Sequence, residues 1–511
     1  MTIQRPAFVF SIANVSALTV AVACNVFQPP PSGSDAGLHE QTHGGATGSG
    51  GRSDSGGQQG STGGRDASVS TAGTVGDESG AGGSVSSGGA QAVADAAPDA
   101  TTSSGPTAPW WPHKTAKGCL SAGVPKSTDR VPSDPGATIA PVYFAMNRFR
   151  LGAVDEKPDP TNMSLTYLPP DPNAWEDIGF DLDGACTNSA TCEDSKGNLI
   201  KETVCSNSQT IPFDGNKCID NSIGKLFNIA ATAPTVGEWF GLTENDWNCE
   251  MWRGGFSIIF KVSNYNGQYN DDSVTLDMYT STGLQVLPQW YCRKAIDQPL
   301  ATDWNAHAPW PSKSHWIISK DDISLAADQN GTDVPDSKWH DPTAFVRGGW
   351  LVSQLPDGTW FWYDGERTPV PGFREIMHRP ILAVQLVHDP QSDMWTMDNG
   401  TIGYVAKPAE MLEGFQQLGF CENMCGTFTE VKNYLNTYQD SLSVDTNAPP
   451  ATMCDALSFG TVFRAAQISA DATDIQQPKP FAICPQPRHP AAPRQGCVCS
   501  SDGSTCTLDG G

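Results

Sequence analysis

Gly255-Phe256-Ser257-Ile258-Ile259-Phe260-Lys261-Val262 is the stretch that decides the fold class. Phe256, Ile258, Phe260 and Val262 recur at every second position, the period of a strand that buries one face. An Asn/Asp/Gly-rich loop runs from Asn264 to Asp272, and then Val274, Leu276 and Met278 alternate again, so the pair predicts a hairpin. Trp350–Leu355, the turn Pro356-Asp357-Gly358 and Thr359–Tyr363 predict a second. Ile381–His388, Met394–Met397, the turn Asp398-Asn399-Gly400 and Thr401–Val405 predict a third strand cluster. Turn signals between alternating runs predict a mainly β domain, an antiparallel, jelly-roll-like β-sandwich.

Further along the chain the period changes. Pro408 suits a first helical position, and Met411, Leu412, Phe415 and Leu418 then follow at helical spacing before Gly419. Thr427-Phe428-Thr429-Glu430 is a capping box, followed by Val431, Tyr434, Leu435, Tyr438 and Leu442 on one face. A short helical hairpin is therefore expected over about 408–442, then a strand from Ala456 to Ile468 and a Cys/Pro-rich tail over about 476–511.

In the other direction the foldable sequence stops at Trp110. All 15 Trp lie at or beyond that residue, while 25–109 holds 20 of the 51 Gly and one aromatic residue, Phe27. Such a stretch cannot bury enough apolar area to offset the entropy of ordering it, so it reads as a disordered tether. Its reach is on the order of 50 Å. The chain carries 31 Lys and Arg against 56 Asp and Glu, a net charge of −25. With no basic stripe to neutralise phosphates, nucleic acid is excluded as a partner.

Residues 1–24 have one charge, Arg5, ahead of a mostly apolar run from Ala7 to Ala23, the pattern of a secretory signal. The end of that run, Ala21-Val22-Ala23-Cys24, resembles the lipobox of bacterial lipoproteins. The resemblance implies that Cys24 is lipidated and that the chain is held on a membrane. Asn25 is not the Asp that in this family retains lipoproteins at the inner membrane, so the outer membrane or cell surface is the implied destination. The other 14 Cys, an even number in an exported domain, are expected to form up to seven disulfides. The order of strands, short helices and acidic loops also resembles concanavalin-like β-sandwich proteins, an architectural likeness that assigns no functional residue.

Three segments crowd oxygen ligands: Asp177–Gly184, Asp214–Asn221 and Asn264–Asp272. Calcium takes six to eight oxygens from flexible loops, which such segments supply, and Asp181, Asp183 and Asp220 are the candidate ligands. The competing reading is that Asx and Gly residues here only build turns.

Catalytic signatures are absent: the sequence has no H-E-x-x-H, G-x-S-x-G or P-loop motif. Glu244-Asn245-Asp246-Trp247-Asn248-Cys249-Glu250 puts acids on one face if it is a strand, so Glu244 and Asp246 are the catalytic candidates for a sandwich-type glycoside hydrolase or lyase. Trp360 and Trp362 would share a strand face beside Asp357 and Asp364, an arrangement suited to stacking on sugar rings. The sequence thus points to a surface lipoprotein, a non-enzymatic binding protein for an extracellular polysaccharide or a surface protein. A glycoside hydrolase or lyase and a structural envelope protein are the alternatives.

Overall fold

The computed structural model describes residues 107–153, 171–187, 189, 192–193, 196–200, 204–206, 213–232, 244–292, 310–311, 313–324, 334–363, 373–417, 426–444, 452–469, 473–477, 497–499 and 506–508. The signal-like segment, the lipidation candidate Cys24 and nearly all of the expected tether lie outside them. In chain order the first strands are β1 (His113–Lys114), β2 (Leu120–Ser121), β3 (Val142–Arg150), β4 (Ser257–Ser263), β5 (Asp271–Leu284), β6 (Trp316–Ser319) and β7 (Trp339–Arg347). They are followed by β8 (Trp350–Gln354), β9 (Thr359–Tyr363), β10 (Phe373–Asp389), β11 (Met394–Ala406), β12 (Leu457–Ile468), β13 (Thr473–Gln476), β14 (Cys497–Cys499) and β15 (Cys506–Leu508). The α-helices are α1 (Ser222–Thr232), α2 (Glu244–Arg253), α3 (Pro408–Gln417) and α4 (Gly426–Thr437).

Eight strands close into an antiparallel barrel in the order β5-β4-β3-β12-β11-β10-β8-β7, with β7 pairing back onto β5. This overturns the expected sandwich. β5 is 14 residues long, enough for one edge to serve β4 while the other serves β7 and then β6. One continuous sheet therefore curls until its ends meet, where a sandwich would leave two stacked sheets. β6 and the parallel β13 extend the sheet outward from the far end of β5.

The barrel is filled by the alternation read from the sequence. Ile258, Phe260 and Val262 of β4, Val274, Leu276 and Met278 of β5, and Leu382, Val384 and Leu386 of β10 all enter one buried cluster. Eight strands leave an interior just wide enough for side chains. Burying a ring such as Phe260, which stacks on Phe463 at 5.3 Å, contributes about 1.5–3 kcal/mol. The helices bring Phe227, Trp247, Phe415 and Leu435 to that same cluster and so cap the barrel.

The first expected hairpin is β4–β5, with Val262 opposite Leu276. The second does not form: β8 and β9 lie end to end along one edge of β10 instead of pairing with each other. In the third, β10 turns into β11 at Asp389 and Met394, but Asp398-Asn399-Gly400 is a bulge within β11 and not a turn. Asn399 takes the left-handed conformation there, φ 52°. The predicted helical hairpin is present as α3 and α4, and the last predicted strand is β12. Disulfides join Cys119 to Cys192, Cys186 to Cys218, Cys205 to Cys454 and Cys249 to Cys292. Cys421 and Cys425, which the sequence places between the two helices of the hairpin, lie outside the described residues, so a disulfide expected there to staple the hairpin to the body is not described.

Candidate functional site

On the outer wall of the barrel, β7, β8 and β10 present Phe345, Trp350, Val352 and Ala383. Phe180 is buried with them, and Leu182, Trp110 and Trp111 pack against the same cluster, Trp111 edge to face on Phe180 at 6.4 Å. Because Phe180 and Leu182 point at the wall, the intervening Asp181 and the following Asp183 are left to face other partners. The Cys186–Cys218 bridge draws the 214–221 segment alongside, and the Asp220 amide donates to the Phe180 carbonyl at 2.9 Å. Asp220 is thus brought to two residues at least 37 positions earlier in the sequence: carboxylate oxygens of Asp181, Asp183 and Asp220 lie within 4.8 Å of one another. These are the three calcium candidates named from the sequence.

Their hydrogen bonds hold the loop in shape. Asp220 accepts the amides of Leu182 (2.6 Å) and Asp183 (3.0 Å). Asp181 accepts the Gly184 amide at 2.7 Å and the Ser121 hydroxyl at 2.5 Å, while Asp183 accepts the Ala185 amide at 2.7 Å. Two further acids join electrostatically. Asp214 accepts the Thr187 amide, and Asp440 accepts the hydroxyls of Ser222 and Ser458.

Burial raises the pKa of all five carboxyls, and their mutual repulsion adds to it at Asp183, Asp214 and Asp220. Asp214 is pushed up to about 9 and Asp183 and Asp220 rise well above the usual range. Arg379 opposes the rise at Asp183. A cluster like this holds either protons or a cation. Oxygen donors from loops, several of them anionic, are the set a hard cation such as calcium takes.

Asp181 and Asp183 of the cluster form part of the wall of an open cleft of about 1000 Å³ that is also lined by Trp110, Trp111, His113, Gln354 and Arg379. The tryptophans are held edge to face, Trp110 to Trp111 at 5.0 Å and Trp111 to Trp350 at 4.9 Å. Both remain half-buried. The volume sits at the upper end of the range for ligand clefts.

The other sequence candidates are elsewhere. Glu244 and Asp246 open α2, so two residues apart they point about 160° away from each other and do not share a face. The strand reading fails because 244–253 is a buried α-helix, whose period of 3.6 does not keep alternate residues on one face. Glu244 accepts the amides of Leu151 (3.1 Å), Gly152 (3.2 Å) and Ala153 (3.0 Å), with Arg150 at 4.0 Å. It is a buried pin for that turn. Trp360 is half-buried, donates its indole N–H to Asp322 at 2.7 Å, packs against Trp339 at 5.2 Å and lies under the Arg374 guanidinium at 4.9 Å. The guanidinium covers one side of the ring, as Arg347 covers Trp110 at 4.6 Å. Trp362 lies on β9, and its side chain is outside the described residues. The Asn264–Asp272 loop is a hairpin connection in which Asp271 accepts the Asn266 amide at 2.7 Å.

Sequence reading missed Asp440 and Arg379, which reach the cluster from distant elements with no local motif. It singled out Trp360 and Trp362 over Trp110 and Trp111, although the adjacent pair stands out in a turn-rich context. Compared with known protein families, with curated proteins and with solved structures, the chain matches none.

Proposed function

We propose that this protein is an exported, lipid-anchored surface protein that binds carbohydrate in the cleft beside Trp110 and Trp111 without cleaving it. The observation that carries the reading is the cleft itself, which the half-buried indole of Trp111 lines together with Trp110, Gln354, Arg379 and the Asp181 loop. Indole faces suit the apolar C–H faces of sugars, and the flanking amide, guanidinium and carboxylates suit their hydroxyls. Calcium at Asp181, Asp183 and Asp220 would offset the repulsion among these crowded carboxyls and would fix one wall of the cleft. The tether and lipid at Cys24 would carry the domain clear of the membrane.

The test is depletion of the purified protein from solution by insoluble polysaccharides, with and without a calcium chelator, while new reducing ends are counted. The expected outcome is depletion that is lost in Trp111→Ala and reduced by the chelator, with no new ends. New reducing ends, or depletion indifferent to Trp111, would overturn the reading. For the anchor, Cys24→Ser should release the protein from membranes, and unchanged partitioning would refute it.

A further inference from the structure

His378 stands between two acids. It is 6% exposed, and its ring meets Asp357 at 3.1 Å through Nδ1 and Glu410 at 2.7 Å through Nε2. Asp357 belongs to the Pro356-Asp357-Gly358 turn between β8 and β9, and Glu410 to the first turn of α3. A neutral imidazole carries one N–H and can donate to only one of these carboxylates, whereas an imidazolium donates to both. The charged groups that join them are Lys407, 4.0 Å from Glu410, and Arg379, the next residue of β10. The β11 residue paired with His378 is the uncharged Val405.

The same contact reaches the cleft. The β10–β11 ladder slips between His378 and Ile381, and Arg379 in that irregularity takes the left-handed conformation, φ 51°, directly before Pro380. A residue with a Cβ stays in that conformation only where its surroundings hold it. Here the Arg379 amide donates to Asp357 at 3.1 Å, so one carboxylate holds both the imidazole and the strained residue. Burial would raise the pKa of Asp357, but the Arg379 amide, His378 and Lys407 outweigh it, and the carboxyl sits below its usual range. Gln354 and Leu355, just ahead of the turn, line the cleft together with Arg379, Pro380 and Ile381, just after His378. His378 therefore joins two segments of one wall.

We propose that His378 is a pH-operated clasp on the cleft wall: as an imidazolium it ties the 354–358 segment to β10, and on losing its proton it lets that segment go. The single N–H of the neutral ring stays on Glu410, the shorter contact and the less exposed acid, 27% against 66% for Asp357. The Nδ1 lone pair then faces the Asp357 carboxylate, which turns to water and leaves the Arg379 amide without its acceptor. The consequence, tighter ligand binding at lower pH, rests on the carbohydrate reading of the cleft.

The test is amide hydrogen exchange of the whole calcium-free protein from pH 5 to 9, corrected for the intrinsic pH dependence of exchange, with polysaccharide depletion measured over the same range. Exchange at 354–358 and 379–381 is expected to rise about tenfold or more across the ordinary range of histidine, pH 5 to 8, while β4 and β5 stay unchanged. Asp357→Asn decides the cause. Its side-chain oxygen still accepts the Arg379 amide and its NH2 can donate to the neutral Nδ1, so this variant should stay protected at pH 8. Asp357 is exposed, so the variant is expected to fold. His378→Gln, uncharged at every pH, should exchange alike at pH 5 and pH 8. The acids of the Asp181 loop are untouched in both variants, so a rise that persists in Asp357→Asn belongs to them and overturns the clasp. Exchange indifferent to pH, or a rise shared by β4 and β5, overturns it equally. Depletion as strong at pH 8 as at pH 5 would break the link to binding. If the wall opens as expected but no polysaccharide depletes the protein at any pH, the clasp stands and the carbohydrate reading fails.

Discussion

Glu244 and the Asp181 loop both bury carboxylates, and they bury them differently. Glu244 lies under the turn that leaves β3; burial raises its pKa, and three backbone amides on one carboxylate oxygen and a nearby arginine oppose that rise, with no second acid adding to it. The acids of the loop cluster, Asp181, Asp183, Asp214, Asp220 and Asp440, each have a few donors of their own but also face one another. A buried acid is therefore not in itself a site. What separates a structural pin from a candidate ligand is whether local donors settle its charge, or whether like charges remain that only protons or a cation can offset.

This contrast can be broken by mutation. Glu244→Ala strands three buried amides and should cost about 3–5 kcal/mol, read by urea unfolding. Glu244→Gln, which keeps an acceptor, should cost less than half of that. If Asp220→Asn in calcium-free protein proved equally costly, the distinction between the two regions would collapse.

Calcium should act on one region only. At a hundredfold excess over its dissociation constant it should add about 2.7 kcal/mol to stability, reversibly with chelator. The double variant Asp183→Asn, Asp220→Asn should abolish that gain, while Glu244→Gln should leave it intact. Midpoints indifferent to calcium would remove the cation from the account.

pH sharpens the comparison further. Asp214 is pushed up to about 9 and Glu375, buried near the helical cap, up to about 8, both chiefly by burial. Each raised acid keeps in the folded state a proton that the unfolded chain loses above about pH 4. Its contribution is therefore complete below that pH and is lost as pH rises toward the folded value. Calcium-free protein should lose stability between about pH 5 and 9, by up to about 1.4 kcal/mol per pH unit for each such group. Saturating calcium should flatten the part that belongs to the loop. A flat profile without calcium would contradict the burial of these groups.

The smallest effect is expected at Trp360. Trp360→Phe removes one donor to Asp322, which still accepts from Trp339 at 3.0 Å, and should cost about 1 kcal/mol. Polysaccharide depletion should stay unchanged in that variant. A loss of binding would move the site from the Trp111 cleft to β9.

Much of this molecule was legible before its structure. Period-two runs located β4, β5, β10 and β11, the capping box located α4, and the crowding of Asx residues named Asp181, Asp183 and Asp220. Each signal is local, carried by residues within one element, so the sequence alone could determine it. The amphipathic helix α1 and the buried helix α2 escaped, the latter because its acids, Asn and Trp spread polar and apolar residues around the axis. Ring closure was decided elsewhere. Alternation is identical in a sandwich and a barrel, and only the pairing of β7 with the second edge of β5 tells them apart. The Asp cluster likewise exists because the Cys186–Cys218 bridge and the Phe180–Asp220 bond bring two loops together and a third segment adds Asp440. The period of a strand is written in its own side chains, whereas its partner is chosen by contacts between residues far apart in the chain. That is why the sequence determined which residues face inward and which loops carry charge, and why tertiary structure alone decided the barrel and the cleft.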